Sequence, residues 1–258
     1  MKNKKPKIII MSGYGLNCEE ETKFAFERAG GVADIVHIND LVASPGLLND
    51  YQIMAFPGGF SYGDDTGSGK AYANKFKNHL AKELEEFLTR DTLTIGICNG
   101  FQIITNLGIL PGALTYNSGG KYLDRWVDLK VEGNSPWLKG VKQLSIPIAH
   151  GEGRYVISPK EYKSMKKKGQ VAFTYAKGDI CKFQNLGANP NGSQHDIAGV
   201  NAYNGRVLGL MPHPERATFA HQSPLWQIRK NQNKKEGKLE EGGVGIIIFR
   251  NAINYFNK

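Results

Sequence analysis

The sequence is poor in cysteine and has no long apolar run. Its three cysteines, Cys18, Cys98 and Cys181, are too few for a disulfide framework, and none lies in a Cys-x-x-Cys pair. This favours a reducing, cytoplasmic compartment. The longest apolar runs, Ile8–Met11 and Ile246–Phe249, are far shorter than a bilayer requires, and we expect no secretory signal after the lysine-rich start. We therefore expect no membrane association.

The chain also lacks a recognisable metal or nucleotide motif. His150-Gly151-Glu152-Gly153-Arg154 is not the His-Glu-x-x-His pattern, and no cluster of histidines or cysteines has zinc-ligand spacing. Gly67-Ser68-Gly69-Lys70 resembles the end of a phosphate-binding P-loop, but Ala71 replaces the Ser or Thr that would hold magnesium. We therefore expect neither a metal site nor a nucleotide site in this chain.

Basic residues are in excess, since 33 Lys and Arg against 24 Asp and Glu give a formal net charge of +9. Such a balance would suit a basic module that binds an anionic partner. Two short segments, Lys2–Lys7 and Lys160–Lys168, supply most of the excess. We interpret them as solvated surface, with a docking contact for a partner protein as the alternative. We expect no nucleic-acid partner, because the basic residues are not interleaved with aromatic ones.

The first half of the chain alternates β-rich runs with helical patterns. Strands are predicted at Lys7–Met11, Val32–Ile38, Gln52–Phe56 and Thr92–Cys98. Helices are predicted at Glu19–Ala29, Ala71–Leu88 and Asn99–Leu107. This alternation favours a parallel sheet that is covered by helices on both faces.

After Gly108 the pattern changes to β-segments separated by Gly, Asn and Pro turns. The predicted segments are Tyr122–Val131, Leu144–Ile148, Arg154–Ile157, Val171–Tyr175, Gly199–Tyr203 and Val207–Met211. Other predicted features are a turn-rich loop at Leu186–Asp196, a charged surface segment at Arg229–Glu241 and a closing helix at about Val244–Phe256. Because no clear linker is present, we expect one α/β domain over residues 1–258, with a mostly parallel sheet and β-rich additions.

The most informative local pattern is Gly96-Ile97-Cys98-Asn99-Gly100. It follows an apolar strand and matches the nucleophile elbow Gly-x-Ser-x-Gly with cysteine in place of serine. In such an elbow the nucleophile occupies a strained turn, and the flanking glycines let backbone segments approach closely. The amides that start the next helix stabilise a thiolate. Cys98 is therefore a candidate nucleophile, and a buried structural cysteine is the alternative.

Met211-Pro212-His213-Pro214-Glu215-Arg216 offers a base for such a thiol. In an extended segment, side chains two residues apart leave the same face, so His213 and Glu215 should lie side by side. That arrangement suits a general base and the carboxylate that orients it. A proline-rich surface turn is the alternative for this motif alone, but the thiol and the His-x-Glu pair support each other.

Glycines also follow a third predicted strand, in Phe56-Pro57-Gly58-Gly59-Phe60-Ser61-Tyr62-Gly63-Asp64. At the carboxyl end of a parallel strand they can present backbone N–H groups into the crevice where such sheets bind ligands. An oxyanion hole is the natural use of such groups. Cys18 and Cys181 lie in none of these motifs, and we expect both to be bystanders.

Four strings occur in order along the chain: Pro57–Asp64, Gly96–Gln102, Pro147–Tyr155 and Met211–Arg216. With these strings, most of the chain resembles the glutaminase subunits of phosphoribosylformylglycinamidine synthase, which are class I glutamine amidotransferases of purine biosynthesis. Gly-Gly-Phe-Ser-Tyr-Gly-Asp and Ala-His-Gly-Glu-Gly-Arg-Tyr distinguish this family from other class I amidotransferases. The resemblance implies the flavodoxin-like α/β fold of that class.

The resemblance also implies a site that hydrolyses L-glutamine. Cys98 would be the nucleophile, His213 the general acid and base, and Glu215 the residue that orients His213. The Cys98 thiolate would attack the side-chain amide, and a γ-glutamyl thioester would remain after ammonia leaves. A cysteine hydrolase of similar architecture with another substrate is the alternative.

Further site residues come from the same resemblance. It implies an oxyanion hole from backbone amides near Gly58 and Gly59 and at Asn99, with Gln102 facing the bound glutamine. Three charged or titratable residues of the third string stay open between substrate or partner contacts and loop bracing: His150, Glu152 and Arg154.

The resemblance implies partners as well. Ammonia would pass to a separate synthetase subunit, which uses ATP and magnesium to convert formylglycinamide ribonucleotide to formylglycinamidine ribonucleotide. A small third subunit usually completes the complex, and this chain itself would need no cofactor. The chain departs from the family pattern at Ser12–Cys18, at Asp65–Lys70 and in the long, charged region Phe219–Gly243. We expect partner contacts or loop dynamics to differ there.

Overall fold

The computed structural model describes residues 5–64, 67–235 and 242–257. Its strands are β1 (Lys7–Ser12), β2 (Val32–His37), β3 (Ile53–Phe56), β4 (Leu93–Ile97), β5 (Ala113–Thr115), β6 (Leu123–Val131), β7 (Gln143–His150), β8 (Arg154–Val156), β9 (Val171–Ala176), β10 (Ile197–Ala202) and β11 (Val207–Leu210). Its helices are α1 (Glu19–Arg28), α2 (Ile38–Ala43), α3 (Lys70–Thr89), α4 (Asn99–Asn106), α5 (Pro159–Lys167), α6 (Asp179–Gln184), α7 (Trp226–Lys235) and α8 (Ile246–Phe256). Short 3-10 turns connect several of these elements.

The first half of the chain folds as its hydrophobic pattern predicts. The strands β2, β1, β3, β4 and β11 lie side by side in this order, and each neighbouring pair is parallel. Every residue of β3 and β4 is buried, as expected for parallel strands that are covered on both faces. On one face, Phe26 of α1 packs edge to face against Phe249 of α8, with ring centroids 4.9 Å apart.

The second half extends the same sheet rather than forming an addition to it. The order continues from β11 through β10, β9 and β6 to β7, and each of these neighbouring pairs is antiparallel. The fold class is confirmed as α/β, but the sheet is mixed and not mostly parallel. The predicted segment Arg154–Ile157 is the exception, because its strand β8 pairs with β5 outside the main sheet.

Four helices were not predicted: α2, α5, α6 and α7. All four are short or strongly polar, so that few apolar positions mark a helical period. In α5 only Met165 is buried, which leaves its lysines exposed, as expected for solvated surface. A capping box between Ser158 and Glu161 and the following proline were the available sequence signal for the start of α5.

Two predicted surface segments reach beyond the described residues. Of the predicted segment Arg229–Glu241, residues up to Lys235 belong to α7, and residues 236–241 lie outside the described part of the chain. Of the basic segment Lys2–Lys7, residues 2–4 lie outside it as well. Among the helices that the structure describes, none has both the length and the apolar character needed to cross a membrane.

Candidate active site

The candidate site lies where three neighbouring parallel strands end. Phe56 of β3 pairs with Gly96 of β4, and Ile97 of β4 pairs with Leu210 of β11. The segments that follow these strands carry the predicted oxyanion glycines, the predicted nucleophile and the predicted base. Sheet topology therefore brings three motifs that are far apart in sequence to one edge of the sheet, as the carboxyl ends of parallel strands require.

Cys98 occupies a strained strand-to-helix turn. Its φ is 51° and its ψ is −108°, a conformation that non-glycine residues rarely adopt. The turn is held from both sides: the Cys98 N–H donates to the Leu210 carbonyl at 2.8 Å, and the Cys98 carbonyl accepts from the Gln102 N–H at 3.1 Å. The predicted strained turn between strand and helix is thus confirmed, and the thiol stands at the N-terminus of α4.

The two glycines around Cys98 are required by close packing. A Cβ atom on Gly96 would lie 2.6 Å from the Gly100 carbonyl oxygen. A Cβ atom on Gly100 would overlap the carbonyl oxygen of Phe56 at the end of β3. The start of α4 therefore sits directly on the ends of β3 and β4, and any side chain at these positions would push Cys98 out of place.

His213 and Glu215 are adjacent, but for a different reason than predicted. The segment is not extended at Glu215, which lies in a 3-10 turn, Pro214–Ala217, that begins directly after His213. The Nδ1–H group of His213 donates to Glu215 Oε1 at 2.5 Å, and both side chains are buried. Because Nδ1 is engaged, Nε2 is the ring nitrogen that remains for proton transfer.

The surroundings of His213 favour its protonated form. Burial opposes a charge on the imidazole, but the Glu215 carboxylate and the Cys98 thiol outweigh it and hold the pKa of His213 well above its usual value. The Cys98 thiol lies close enough to the ring to contribute to this rise. The buried Glu215 carboxylate therefore stabilises a positive charge on the His213 imidazole, next to the Cys98 thiol.

The edge strand β7 also contacts the site, although it is the last strand in the order of the sheet. The His213 N–H donates to the Pro147 carbonyl at 2.8 Å, and the Cys98 thiol lies 3.6 Å from the Ala149 carbonyl oxygen. The string Pro147–Tyr155 therefore borders both Cys98 and His213.

The predicted oxyanion glycines lie against the base. A Cβ atom on Gly58 would be 2.8 Å from Cε1 of His213, so this position has room only for glycine. Gly59 has a φ of +155° and packs against the backbone of Gly15 and Leu16. The structure thus places Gly58 and Gly59 at the site, beside the turn that follows β4.

Asn99 and Gln102 lie in α4 and are buried. The Asn99 side chain accepts from the Ser61 N–H at 3.0 Å and donates to Gln102 Oε1 at 2.7 Å. Gln102 Nε2 donates to the Glu152 carbonyl at 2.6 Å. These bonds hold the Phe56–Asp64 string and the Pro147–Tyr155 string to the helix of the nucleophile, while the contact between Gln102 and glutamine stays a prediction.

Arg154, Glu152 and His150 each contact a neighbouring segment of the chain. Arg154 Nε donates to the Gly192 carbonyl at 3.1 Å, and Glu152 Oε2 accepts from the Ser68 N–H at 3.5 Å. His150 Nδ1 lies 3.1 Å from Asn117 Oδ1. Burial, with a further contribution from the charge of His213, lowers the pKa of His150 to about 3, so His150 is neutral at physiological pH.

Cys18 is a site neighbour that the sequence reasoning missed. Instead of being a bystander, its sulfur accepts a hydrogen bond from Arg216 Nη2 at 3.0 Å and lies beside the His213 ring. The available signal was the position of Cys18 in the first of the three segments that depart from the family pattern. Cys181 is remote by comparison, because its thiol donates to the Ala176 carbonyl next to α6.

Cys18, His213 and Glu215 also have the chemistry of a metal site. Among the described residues they form a group of three ligand atoms that lie within 4.8 Å of one another. The Arg216 guanidinium already occupies the sulfur of Cys18, and its Nε lies 3.9 Å from Glu215 Oε1. A fixed positive charge at this place repels a dication, so the residues fit an ion-pair network better than a metal.

Comparison with known proteins agrees with this geometry. Residues 5–256 match the family model of the CobB/CobQ-like glutamine amidotransferase domain. The chain is 46% identical to phosphoribosylformylglycinamidine synthase subunit PurQ of Methanococcus maripaludis, with 98% of each chain covered. It is 41% identical to the same subunit of Dehalococcoides mccartyi, covering 97% of this chain and 98% of the relative. The chain belongs to the PurQ family of glutamine amidotransferases.

Solved structures extend the comparison to the fold. The structure of PurLQS from Thermotoga maritima matches with a TM-score of 0.72 at 35% identity, and covers 98% of this chain and 99% of that chain. Another glutamine amidotransferase from Thermotoga maritima shares the fold, with a TM-score of 0.51 at 15% identity over 98% of this chain and 93% of that chain. The family assignment therefore rests on sequence and structure over nearly the whole chain.

The first departure from the PurQ pattern is well ordered by contacts. Gly13 has a φ of +110°, and a Cβ atom there would lie 2.5 Å from Nε2 of His37. Tyr14 has a φ of 54° and stacks on Tyr62 with ring centroids 4.6 Å apart. The second departure lies partly outside the described residues, which exclude 65 and 66. The altered first loop thus contacts the glycine-rich string of the site directly.

Proposed function

We propose that this chain is the glutamine-hydrolysing subunit of a phosphoribosylformylglycinamidine synthase. One observation carries the proposal: a strained cysteine turn faces a buried His–Glu pair in a chain that is 46% identical, over its full length, to a PurQ subunit. The first part supports thiol-based hydrolysis of an amide. The second part supports L-glutamine as the substrate and purine biosynthesis as the setting.

In the proposed mechanism, Cys98 is the nucleophile and His213 is the general acid and base. The Cys98 thiolate attacks the side-chain carbonyl of glutamine, and the His213 imidazolium protonates the ammonia that leaves. A γ-glutamyl thioester remains on Cys98. His213, now neutral, takes a proton from water, which attacks the thioester and releases glutamate. Glu215 orients His213 and stabilises its charge throughout.

The negative charge that develops on the amide oxygen would be stabilised by backbone amides near Gly58 and Gly59 and at Asn99. Asn99 is the first residue of α4, so its N–H has no carbonyl partner within the helix. The glycines follow β3, the strand next to that of the nucleophile. Gln102, which the bonds from Asn99 and to Glu152 hold in place, would contact the substrate from the same helix.

We further propose that the released ammonia is used by a synthetase subunit, in a complex that also contains a small third subunit. The similarity to the PurLQS structure of Thermotoga maritima supports this. ATP and magnesium would act on the synthetase, and this chain would hold no cofactor. All three cysteines are buried and free, which supports a cytoplasmic setting.

The test is a glutamine-dependent assay of formylglycinamidine ribonucleotide formation, with the full chain and its synthetase partner. Glutamine should support the reaction with the intact chain, and added ammonia should support it with the Cys98→Ala variant. If ammonia supported the reaction but glutamine did not with the intact chain, the proposed function would be wrong. Hydrolysis of a different amide by the isolated chain would favour the alternative of another cysteine hydrolase.

A further inference from the structure

The loop before α1 contacts both halves of the site. The N–H groups of Asn17 and Cys18 both donate to the Gly58 carbonyl, at 3.2 Å and 3.1 Å. The side chain of Cys18 is directed to the other half, where its sulfur accepts from Arg216 Nη2 at 3.0 Å. One residue is thus bonded through its backbone to the predicted oxyanion segment and through its side chain to the turn of the base.

We propose that Cys18 is a positioning residue, which fixes the Gly58–Gly59 peptide and the His213 imidazole relative to each other. The inference rests on the proposed function, because it assigns these two groups to the transition state of glutamine hydrolysis. Cys18 itself touches no reacting atom in this scheme.

The backbone bonds fix the direction of one peptide. A trans peptide is planar, and its C=O and N–H groups point in opposite directions. Because the Gly58 carbonyl accepts two N–H groups from the loop, the Gly59 N–H must point away from that loop. The double acceptor bond also opposes a rotation of the peptide, which would leave both loop amides without their partner. An oxyanion donor needs this kind of preorganisation.

The side chain of Cys18 confines the imidazole. A Cβ atom placed on Gly58 would lie 3.2 Å from the Cys18 sulfur and 2.8 Å from Cε1 of His213, so the three groups meet around one point. Arg216 holds the sulfur and lies beside the Glu215 carboxylate. The ring is therefore bordered by the Glu215 carboxylate at Nδ1 and by the Cys18 sulfur, which lies within 4.8 Å of a ring nitrogen.

The geometry distinguishes Cys18 from the nucleophile. Cys18 has a φ of −107° and a ψ of 22°, with none of the strain of Cys98, and it precedes α1 without opening toward the crevice. It is 1% exposed. Cys181 is equally buried at 1% and belongs to no part of the site, so it offers a matched control.

The proposal predicts a change in both rate and pH profile. Titratable or charged groups that face His213 are Glu215, Cys98, Cys18, Arg216, Tyr122 and His150. Burial opposes a raised pKa of His213, and the neighbouring Cys18 thiol adds to the charges that raise it. Removal of this thiol should lower that pKa, so the alkaline limb of kcat/KM should move to lower pH.

The experiment compares Cys18→Ala, Cys18→Ser and Cys181→Ala in the full chain assembled with its synthetase partner. For glutamine hydrolysis, Cys18→Ala should lower kcat about tenfold and change KM by less than about twofold, because the groups are displaced rather than the substrate released. Cys18→Ser, which retains an acceptor for Arg216, should lose about threefold, with a smaller shift of the same limb. Cys181→Ala should match the wild type in both readouts.

Two results would overturn the proposal. In the first, the Cys18 variants have the same kcat and the same alkaline limb of kcat/KM as Cys181→Ala. In the second, only KM changes. If Cys18→Ala does not fold, the test rests on Cys18→Ser. A wild-type kcat and a wild-type alkaline limb of kcat/KM in Cys18→Ser would contradict the inference. The rate at which iodoacetamide alkylates Cys98 can be measured against pH by peptide mass spectrometry. It compares the Cys18 variants with Cys181→Ala without turnover. If the wild type itself did not hydrolyse glutamine, the proposed function would be wrong, and this result is distinct from a failure of the Cys18 proposal.

Discussion

The turns after β4 and after β11 bring the two parts of the site together by different physical means. Cys98 is held by a strained backbone and by glycine contacts that leave no room for a side chain. His213 and Glu215 are held by a 3-10 turn and by a charged hydrogen bond of 2.5 Å in a buried setting. Substitutions near Cys98 should therefore act through position, whereas substitutions near His213 should act through proton affinity.

Removal of the nucleophile should have the largest effect on activity. Cys98→Ala should lower glutamine hydrolysis in the assembled complex by about 10⁴-fold or more, because no other thiol in the site lies in a strained turn. Release of glutamate at saturating glutamine is the measurement, with Cys181→Ala as the control. Hydrolysis by Cys98→Ala at the control rate would show that the turn after β4 does not supply the nucleophile.

Removal of the charge that orients the base should have the next largest effect. Glu215→Gln keeps the shape but removes the carboxylate, so kcat should fall about a thousandfold. The carboxylate raises the pKa of His213, so its loss should also move the alkaline limb of kcat/KM to lower pH. A pH–rate series at saturating and limiting glutamine separates the two effects. An unchanged limb would mean that Glu215 acts only as a spacer.

A side chain at the close contact beside Cys98 should displace the nucleophile without changing its chemistry. Gly100→Ala would bring a methyl group onto the Phe56 carbonyl, so kcat should fall about a hundredfold and unfolding free energy by about 1–3 kcal/mol. Gly46→Ala is the control, because a Cβ atom there meets nothing within 4 Å. The pH limbs of Gly100→Ala should stay in place. A shifted pH limb in a Gly100→Ala variant of wild-type stability would contradict the idea that the turn after β4 acts through position and the turn after β11 through proton affinity.

The strand β7, which contacts the turn after β11, ends at His150, and this residue should make the stability of the protein depend on pH. His150 has a pKa of about 3 in the folded state against 6.5 unfolded, so the unfolded chain binds more protons between these values. Stability from His150 is therefore complete above about pH 6.5 and falls as the pH is lowered toward 3. At pH 5 the loss should be about 2 kcal/mol.

Urea unfolding at pH 7 and pH 5 measures this loss, and His150→Gln should remove that share of it. An identical pH dependence in wild type and variant would show that His150 is not the buried neutral group that supports this side of the site.

The parallel half of the fold was predictable from sequence because its central strands β3 and β4 are rich in apolar residues and its long helix α3 has a regular buried stripe. The antiparallel half was less predictable, because the sequence indicates where its strands lie but not which strands pair with each other. Nothing local in β7 indicates that it lies at the far edge of the sheet and still reaches His213 through Pro147. The helix α5 was missed because a single buried residue, Met165, leaves no visible period.

The site shows the same division. The elbow around Cys98 is a local pattern with a local mechanical cause, so its backbone conformation could be predicted in advance. The pairing of His213 with Glu215 was predicted with the wrong backbone, because the proline after His213 starts a 3-10 turn instead of continuing the strand. The contact between Cys18 and Arg216 was not predictable, since it joins residues 198 positions apart and no local pattern marks it.

The most direct test of the account is to trap the covalent intermediate. The full chain, assembled with its synthetase partner, is mixed with glutamine, quenched in acid during turnover and digested for peptide mass spectrometry. The account predicts a glutamine-dependent γ-glutamyl adduct on the peptide that contains Cys98, and none on the peptides of Cys18 and Cys181. An adduct on Cys18, or steady hydrolysis with no adduct on Cys98 in either wild type or Glu215→Gln, would contradict it.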